Sequence, residues 1–236
     1  MWQFETALAE VVQRTPSVKS FRFPRPAGTD FVAGQYFFLT IKINGEEASH
    51  HFTISSSPTD LEYVEFTKRI TEHEFSQALA KMQRGDRASL RGPLGTFTLP
   101  PTKQKLAFLS GGIGITPLRS MLRYIHARRD PWDVILIYGN AGVEEIVFRD
   151  ELDQIAAAGL GVRVVHVISG PSVPADWKGK TGLINADLVA EVVPDCTSRL
   201  FYVSGPPRMV ISLEEQLLSL KVPDDRIKRD SFTGYD

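Results

Sequence analysis

Leu106-Ala107-Phe108-Leu109-Ser110-Gly111-Gly112-Ile113-Gly114-Ile115-Thr116-Pro117 is the stretch that decides the fold. Four apolar residues run into a glycine-rich turn, and a helical pattern follows from Leu118 to Arg128. With no side chains at Gly111, Gly112 and Gly114, one face of the turn is bare backbone whose N–H groups can approach an anion. Thr116 reads as the helix N-cap and Pro117 as its first residue, which aims the positive helix end at the same space. Strand, turn and helix start together specify a diphosphate cradle. The same arrangement also serves to pack a helix closely on a sheet, so the turn alone leaves both readings open.

Outward to the C-terminus the grammar is strict alternation. Apolar segments at Leu106–Leu109, Val134–Tyr138, Val162–Val167 and Leu200–Val203, with a short one at Ile227–Lys228, predict five parallel strands. Amphipathic segments at Leu118–Arg128, Arg149–Ala158, Ala186–Val193 and Val210–Leu220 predict helices covering both faces. Outward to the N-terminus the pattern changes. Short alternating segments (Val18–Phe23, Tyr36–Ile43, His51–Ile54, Leu61–Ile70, Arg87–Arg91) are punctuated by turns such as Asn44-Gly45, with one short helix at Phe75–Met82. The expectation is a Greek-key antiparallel β-barrel over residues 1–100 and a Rossmann-like α/β domain over 104–236, with Pro100-Pro101 at the boundary. Ligands of such parallel sheets sit at the carboxyl ends of the strands, where Gly111–Pro117 falls.

Bulk properties narrow the function classes. A net charge of −1 gives no electrostatic case for nucleic acid or an anionic membrane surface. A single cysteine, Cys196, excludes an intrachain disulfide and any cysteine-built zinc or iron–sulfur centre from this chain. No apolar run is long enough to span a membrane, and Met1-Trp2-Gln3-Phe4-Glu5 lacks the charged-then-apolar plan of a signal peptide. A cytoplasmic protein is the expectation, and no metal site is expected.

Four separated motifs now stand in order: His50-His51-Phe52-Thr53, Gly92-Pro93-Leu94-Gly95, Gly111–Pro117 and Ser204-Gly205-Pro206-Pro207. In that order and spacing the chain resembles the ferredoxin–NAD(P) reductase superfamily over nearly its whole length. The resemblance implies a flavin-binding barrel followed by a nicotinamide-nucleotide domain. It implies that Phe52 flanks the flavin ring and that Thr53 approaches flavin N5. His50 then stands where the family carries an arginine for a flavin phosphate. Histidine offers fewer donors and titrates near 6.5, so Lys68 and Arg69 are candidates to add charge, with His51 beside them. From the same resemblance, Ser76 opens a short helix under the second phosphate, and the plain reading of it is a structural cap. Gly92–Gly95 is expected to serve turn geometry.

Gly111, Gly112, Gly114, Thr116 and Pro117, with Gly205 and Pro206, are the nucleotide-binding candidates. Ser204 occupies the place of the usual family cysteine near nicotinamide C4, and Pro207 reads as a helix N1 residue. Asp230-Ser231-Phe232 resembles the family's Glu-x-aromatic; spacing favours Phe232 as the residue shielding the flavin, with Tyr235 the alternative. Thr53, Ser204, Asp230 and Phe232 are thus the catalytic candidates. The family's NADP-selective members carry Ser-Arg after the third nucleotide-domain strand, whereas this chain reads Ser169-Gly170, so NADH is favoured over NADPH. The two lysines of Trp177–Gly182 keep NADP open.

The activity implied is FAD-dependent hydride transfer between nicotinamide C4 and flavin N5. Single electrons would then pass to a separate carrier such as ferredoxin, flavodoxin or an oxygenase component. Two other readings stand beside it: an NADH-dependent reductase of free flavin or a small acceptor, and a flavin- and nucleotide-binding module weakened in catalysis.

Overall fold

The computed structural model describes residues 1–232. They cluster into two units. The first joins Met1–Leu99 with Thr116–Tyr124, and the second joins Pro100–Ile115 with Ile125 onward.

The first unit holds seven strands: β1 (Trp2–Ala7), β2 (Glu10–Thr15), β3 (Val18–Pro24), β4 (Tyr36–Ile43), β5 (Glu46–Thr53), β6 (Tyr63–Arg69) and β7 (Arg87–Leu94), with α1 (Glu74–Lys81) between the last two. They hydrogen-bond as two antiparallel sheets, β1-β7-β4-β5 and β2-β3-β6. Alternation along β3 and β4 turns Phe21, Phe23, Phe37 and Leu39 inward, all fully buried in one core with Phe66 of β6. The Phe21 and Phe66 rings stack at 4.9 Å. Asn44 and Gly45 join β4 to β5 with φ of 52° and 90°, a two-residue turn that sets Ile43 opposite Glu46 and fixes the register along β5.

The second unit is one parallel sheet ordered β11-β10-β9-β8-β12-β13, from β8 (Leu106–Gly111), β9 (Val134–Asn140), β10 (Val162–Ile168), β11 (Lys180–Thr181), β12 (Leu200–Gly205) and β13 (Ile227–Ser231). It has six strands, not five. The strand that the sequence hides is β11, two polar residues with too short a span for any periodicity. One face packs Ala107, Leu109, Ile137 and Val203 against α4 (Ala186–Val192) and α5 (Pro207–Ser219), while α3 (Arg149–Ala157) lies along β10. Strand order reverses between β8 and β12, so the switch point lies at the ends of those two strands.

The helix after the glycine turn begins earlier than its capping residues suggest. Gly112–Gly114 already forms a 3-10 turn, and α2 runs Ile115–Ala127. Thr116 and Pro117 are therefore the second and third residues of α2, and neither caps it. The glycines make the earlier start possible: Gly112 takes a φ of 52°, which a side-chain-bearing residue adopts rarely. Pro207, by contrast, is the first residue of α5 as its sequence position implies.

Candidate functional site

In the first unit, β5 pairs His50 with Leu39 and Phe52 with Phe37, so His50 and Phe52 share the face of those core residues. Phe52 stacks on Phe66 at 4.5 Å and on Phe75 of α1 at 6.0 Å, and the His50 ring lies 4.3 Å from Phe75. His51 points the other way, with its ring 5.5 Å from Tyr36 and 6.0 Å from Phe38. Thr53 ends β5 opposite Tyr36. Lys68 on β6 is near enough to repel a charge on His50. Burial first, then Lys68 and His51, hold the His50 imidazole below its ordinary value. Burial also lowers Lys68. Two basic groups that oppose one another's charge beside clustered aromatic rings form an environment that a diphosphate and a flat ring would satisfy. The residues present fit FAD.

Arg69 is engaged otherwise: its guanidinium donates to Ser17 Oγ at 2.8 Å. Ser76 is the third residue of α1 and does not cap it; the N-cap is His73, with no side-chain bond. The buried Ser76 hydroxyl instead accepts from the Thr71 N–H at 2.8 Å, and Gln77 donates to the Thr71 carbonyl. The Thr71 hydroxyl is left buried without a partner. Gly92-Pro93-Leu94-Gly95 serves geometry. Its Gly92–Pro93 bond is cis, Gly95 has a φ of 94°, and a Cβ on Gly92 would fall 2.9 Å from that of Phe37.

The second unit gathers its polar residues at the carboxyl edge of the sheet. Register pairs Tyr138 with Ser110, Ser110 with Ser204, and Ser204 with Asp230, a row across β9, β8, β12 and β13. Register partners in a parallel sheet point to one face, and this row lies opposite the α4/α5 side. Tyr138 donates to the Gly112 carbonyl at 2.8 Å. Ser110 and Ser204 are fully buried, and neither Oγ has a hydrogen-bond partner. Burial alone pushes the Asp230 carboxyl up to about 6. Asn140 ends β9 with both amide atoms buried and unbonded. Unsatisfied buried polar groups are uncommon in folded chains, and here they collect where a nucleotide is expected. The residues present fit a nicotinamide dinucleotide.

The glycine turn itself answers the two readings left open by its sequence. A Cβ on Gly111 would sit 2.2 Å from Met209 sulfur, and one on Gly114 would sit 2.3 Å from the Ser204 carbonyl oxygen. Gly114 is required by packing against the backbone of β12, whereas at Gly111 the flexible Met209 side chain could move aside; the packing at Gly114 brings the turn against Ser204-Gly205. Phe232 follows β13 and donates its N–H to Gly205 O at 3.0 Å. Tyr235 lies outside the described residues.

Three features lie outside the sequence motifs. For Ser110, the signal is a hydroxyl at the end of an apolar strand. Asn140 likewise follows an apolar strand. Glu65 sits fully buried in the first unit, bonded to Arg119 at 2.5 Å, Arg22 at 2.8 Å and Arg14 at 2.9 Å. Despite burial, those guanidiniums hold its carboxyl down at about 2. Among the described residues no cluster of histidine, cysteine and carboxylate suits a metal ion.

Two domain families match. An oxidoreductase FAD-binding domain covers residues 5–99, and an oxidoreductase NAD-binding domain covers residues 108–215. The chain belongs to the ferredoxin–NAD(P) reductase superfamily. Within it, the protein is a flavin-dependent NAD(P)H oxidoreductase. It is 29% identical to NADH-cytochrome b5 reductase 1 of Ajellomyces capsulatus over 231 residues, 92% of this chain and 73% of that protein. Among solved structures it resembles the FAD/NAD-binding domain of nitric oxide dioxygenase from Vibrio cholerae, with a TM-score of 0.86, 21% identity and coverage of 97% and 98%. It also resembles the ferredoxin reductase of carbazole 1,9a-dioxygenase, with a TM-score of 0.82, 25% identity and coverage of 98% and 69%.

Proposed function

We propose that this chain moves electrons from NADH through FAD to a separate one-electron carrier protein. The observation that supports it most is the coexistence on one chain of two separate polar environments. The repelling His50–Lys68 pair lies among aromatic rings, and the unbonded Ser110–Ser204 pair lies at the switch point of the parallel sheet. The chemistry supplied by bound FAD is hydride acceptance at N5 and release of electrons one at a time. The chain's residues bind and orient. Phe52 flanks the ring, Thr53 bonds near N5, and His50 with Lys68 holds phosphate. Ser76 and Thr71 shape the turn beneath it. The backbone of Gly111, Gly112 and Gly114, with Gly205 and Pro206, takes the dinucleotide diphosphate. Ser204 and Asp230 border the nicotinamide, and Phe232 covers the flavin in its absence.

The carrier's class is supported by the relatives, an NADH-cytochrome b5 reductase and the ferredoxin reductase of a dioxygenase: a ferredoxin, a flavodoxin, a small haem protein or an oxygenase component receives the electrons. NADH is the donor because Ser169-Gly170 brings no arginine to the end of β10; the Ser169 hydroxyl donates to Asn140 O at 3.3 Å. The test is anaerobic titration of the yellow holoenzyme with each nucleotide. NADH should bleach the flavin absorbance, with kcat/KM at least tenfold above that for NADPH. A preference for NADPH overturns the donor assignment. Failure of both to bleach it leaves a binding module in place of the reductase.

A further inference from the structure

Ser110 and Ser204 are register partners on adjacent strands, both fully buried and both with an unbonded Oγ. A buried hydroxyl without a partner is destabilising, and two side by side are a larger cost than packing alone explains. Neither is spent on the sheet, since backbone groups carry the ladder. Neighbouring parallel strands lie about 4.8 Å apart, so the hydroxyls are spaced for one small planar group with a donor and an acceptor a bond angle apart. A primary carboxamide is such a group: its carbonyl accepts and its NH2 donates. A phosphate or carboxylate offers acceptors only, and the Asp230 carboxyl one strand further opposes an anion.

We infer that Ser110 orients the nicotinamide together with Ser204, its Oγ–H donating to the carboxamide carbonyl while Ser204 Oγ accepts from the carboxamide NH2. This rests on the proposed nicotinamide site and adds Ser110 to it as a group that touches the substrate. The pair fixes which way the amide lies, and so which face of the ring is presented for hydride transfer.

The test is equilibrium binding to oxidised holoenzyme, using NAD+, its thionicotinamide analogue (C=S for C=O) and its 3-acetylpyridine analogue (CH3 for NH2). The parent should bind NAD+ more tightly than either analogue. Ser110→Ala should weaken NAD+ by about five- to tenfold, the size of one buried hydrogen bond, and should nearly abolish discrimination against the thio analogue. It should leave discrimination against the acetyl analogue in place. Ser204→Ala should give the converse. Ser110→Cys, which keeps the volume but donates weakly, should follow Ser110→Ala. If either Ser110 variant weakens all three ligands by one common factor, its role is structural and the inference is wrong. A parent that binds NAD+ while Ser110→Ala binds all three unchanged also overturns it. A parent that binds no dinucleotide instead defeats the proposed function.

Discussion

At Asp230, beside Ser204 on β13, burial raises the carboxyl to about 6, and no hydrogen bond offsets the loss of water. A carboxylate raised above its unfolded value penalises the folded chain once it ionises. The penalty is full above about pH 6 and disappears as pH falls toward 3.8. Asp230→Asn should therefore stabilise the protein at pH 7.5 by on the order of 1 kcal/mol, after discounting for its partly open position, with no gain near pH 4. Denaturant melts at the two values check this; an equal effect at both would refute it. His50 carries the opposite logic. Its imidazole is held below its ordinary 6.5, so it is largely neutral at pH 7.5 and grips a phosphate weakly. His50→Arg should raise FAD affinity about tenfold at pH 7.5 when apoprotein is titrated with FAD, and the parent's affinity should climb only below about pH 6.5. An unchanged affinity removes His50 from the phosphate site. Both residues are visible in the sequence as departures from a motif. Their titration is not, because it depends on burial and on Lys68, which pairs in space and not in sequence.

Among the elements, the glycine turn links fold and site most directly. Gly114 has Ser204 O 2.3 Å from where a Cβ would stand, and a backbone oxygen cannot swing away as a side chain can. Gly114→Ala should separate the turn from the end of β12. It should cost about 2 kcal/mol of stability and weaken NAD+ binding more than tenfold. Calorimetric titration would measure the loss, and wild-type affinity in a folded variant would show that the two turns act independently. Legibility at this scale followed period and length. Apolar strands β8, β9, β10 and β12 are readable because alternation with amphipathic helices leaves few topologies. Thr116 misled because it is a good cap in isolation, while three glycines upstream let the helix begin as a 3-10 turn.

Across the molecule, the Glu65 cluster has no local trace in sequence. Glu65 and Arg119 are 54 positions apart, and an arginine in a helix and a glutamate in a strand are each unremarkable in sequence. Their pairing explains why Thr116–Tyr124 clusters with the first unit, since Arg119 also donates to Ser55 O, Ser120 to Ser56 O and Arg123 to Asp60. A carboxylate depressed to about 2 contributes its full stability above pH 4.5 and loses it as pH falls toward 2. Glu65→Gln leaves guanidiniums facing a neutral amide and should cost about 3 kcal/mol at neutral pH, the gap to the parent closing below pH 4.5. A pH-independent difference would mean that Glu65 matters only for packing.

The two-residue strand β11 has a consequence of another kind. It pairs with the carboxyl end of β10, whose sequence Val162-Arg163-Val164-Val165-His166-Val167-Ile168 is rich in β-branched residues. An uncovered run of that composition would template pairing with other chains. Lys180 and Thr181 meet only Val167 and Ile168, and the rim they form carries a lysine ion-paired to Glu191. The chain thereby closes the carboxyl end of a β-branched strand with polar residues too few to register as a strand at all.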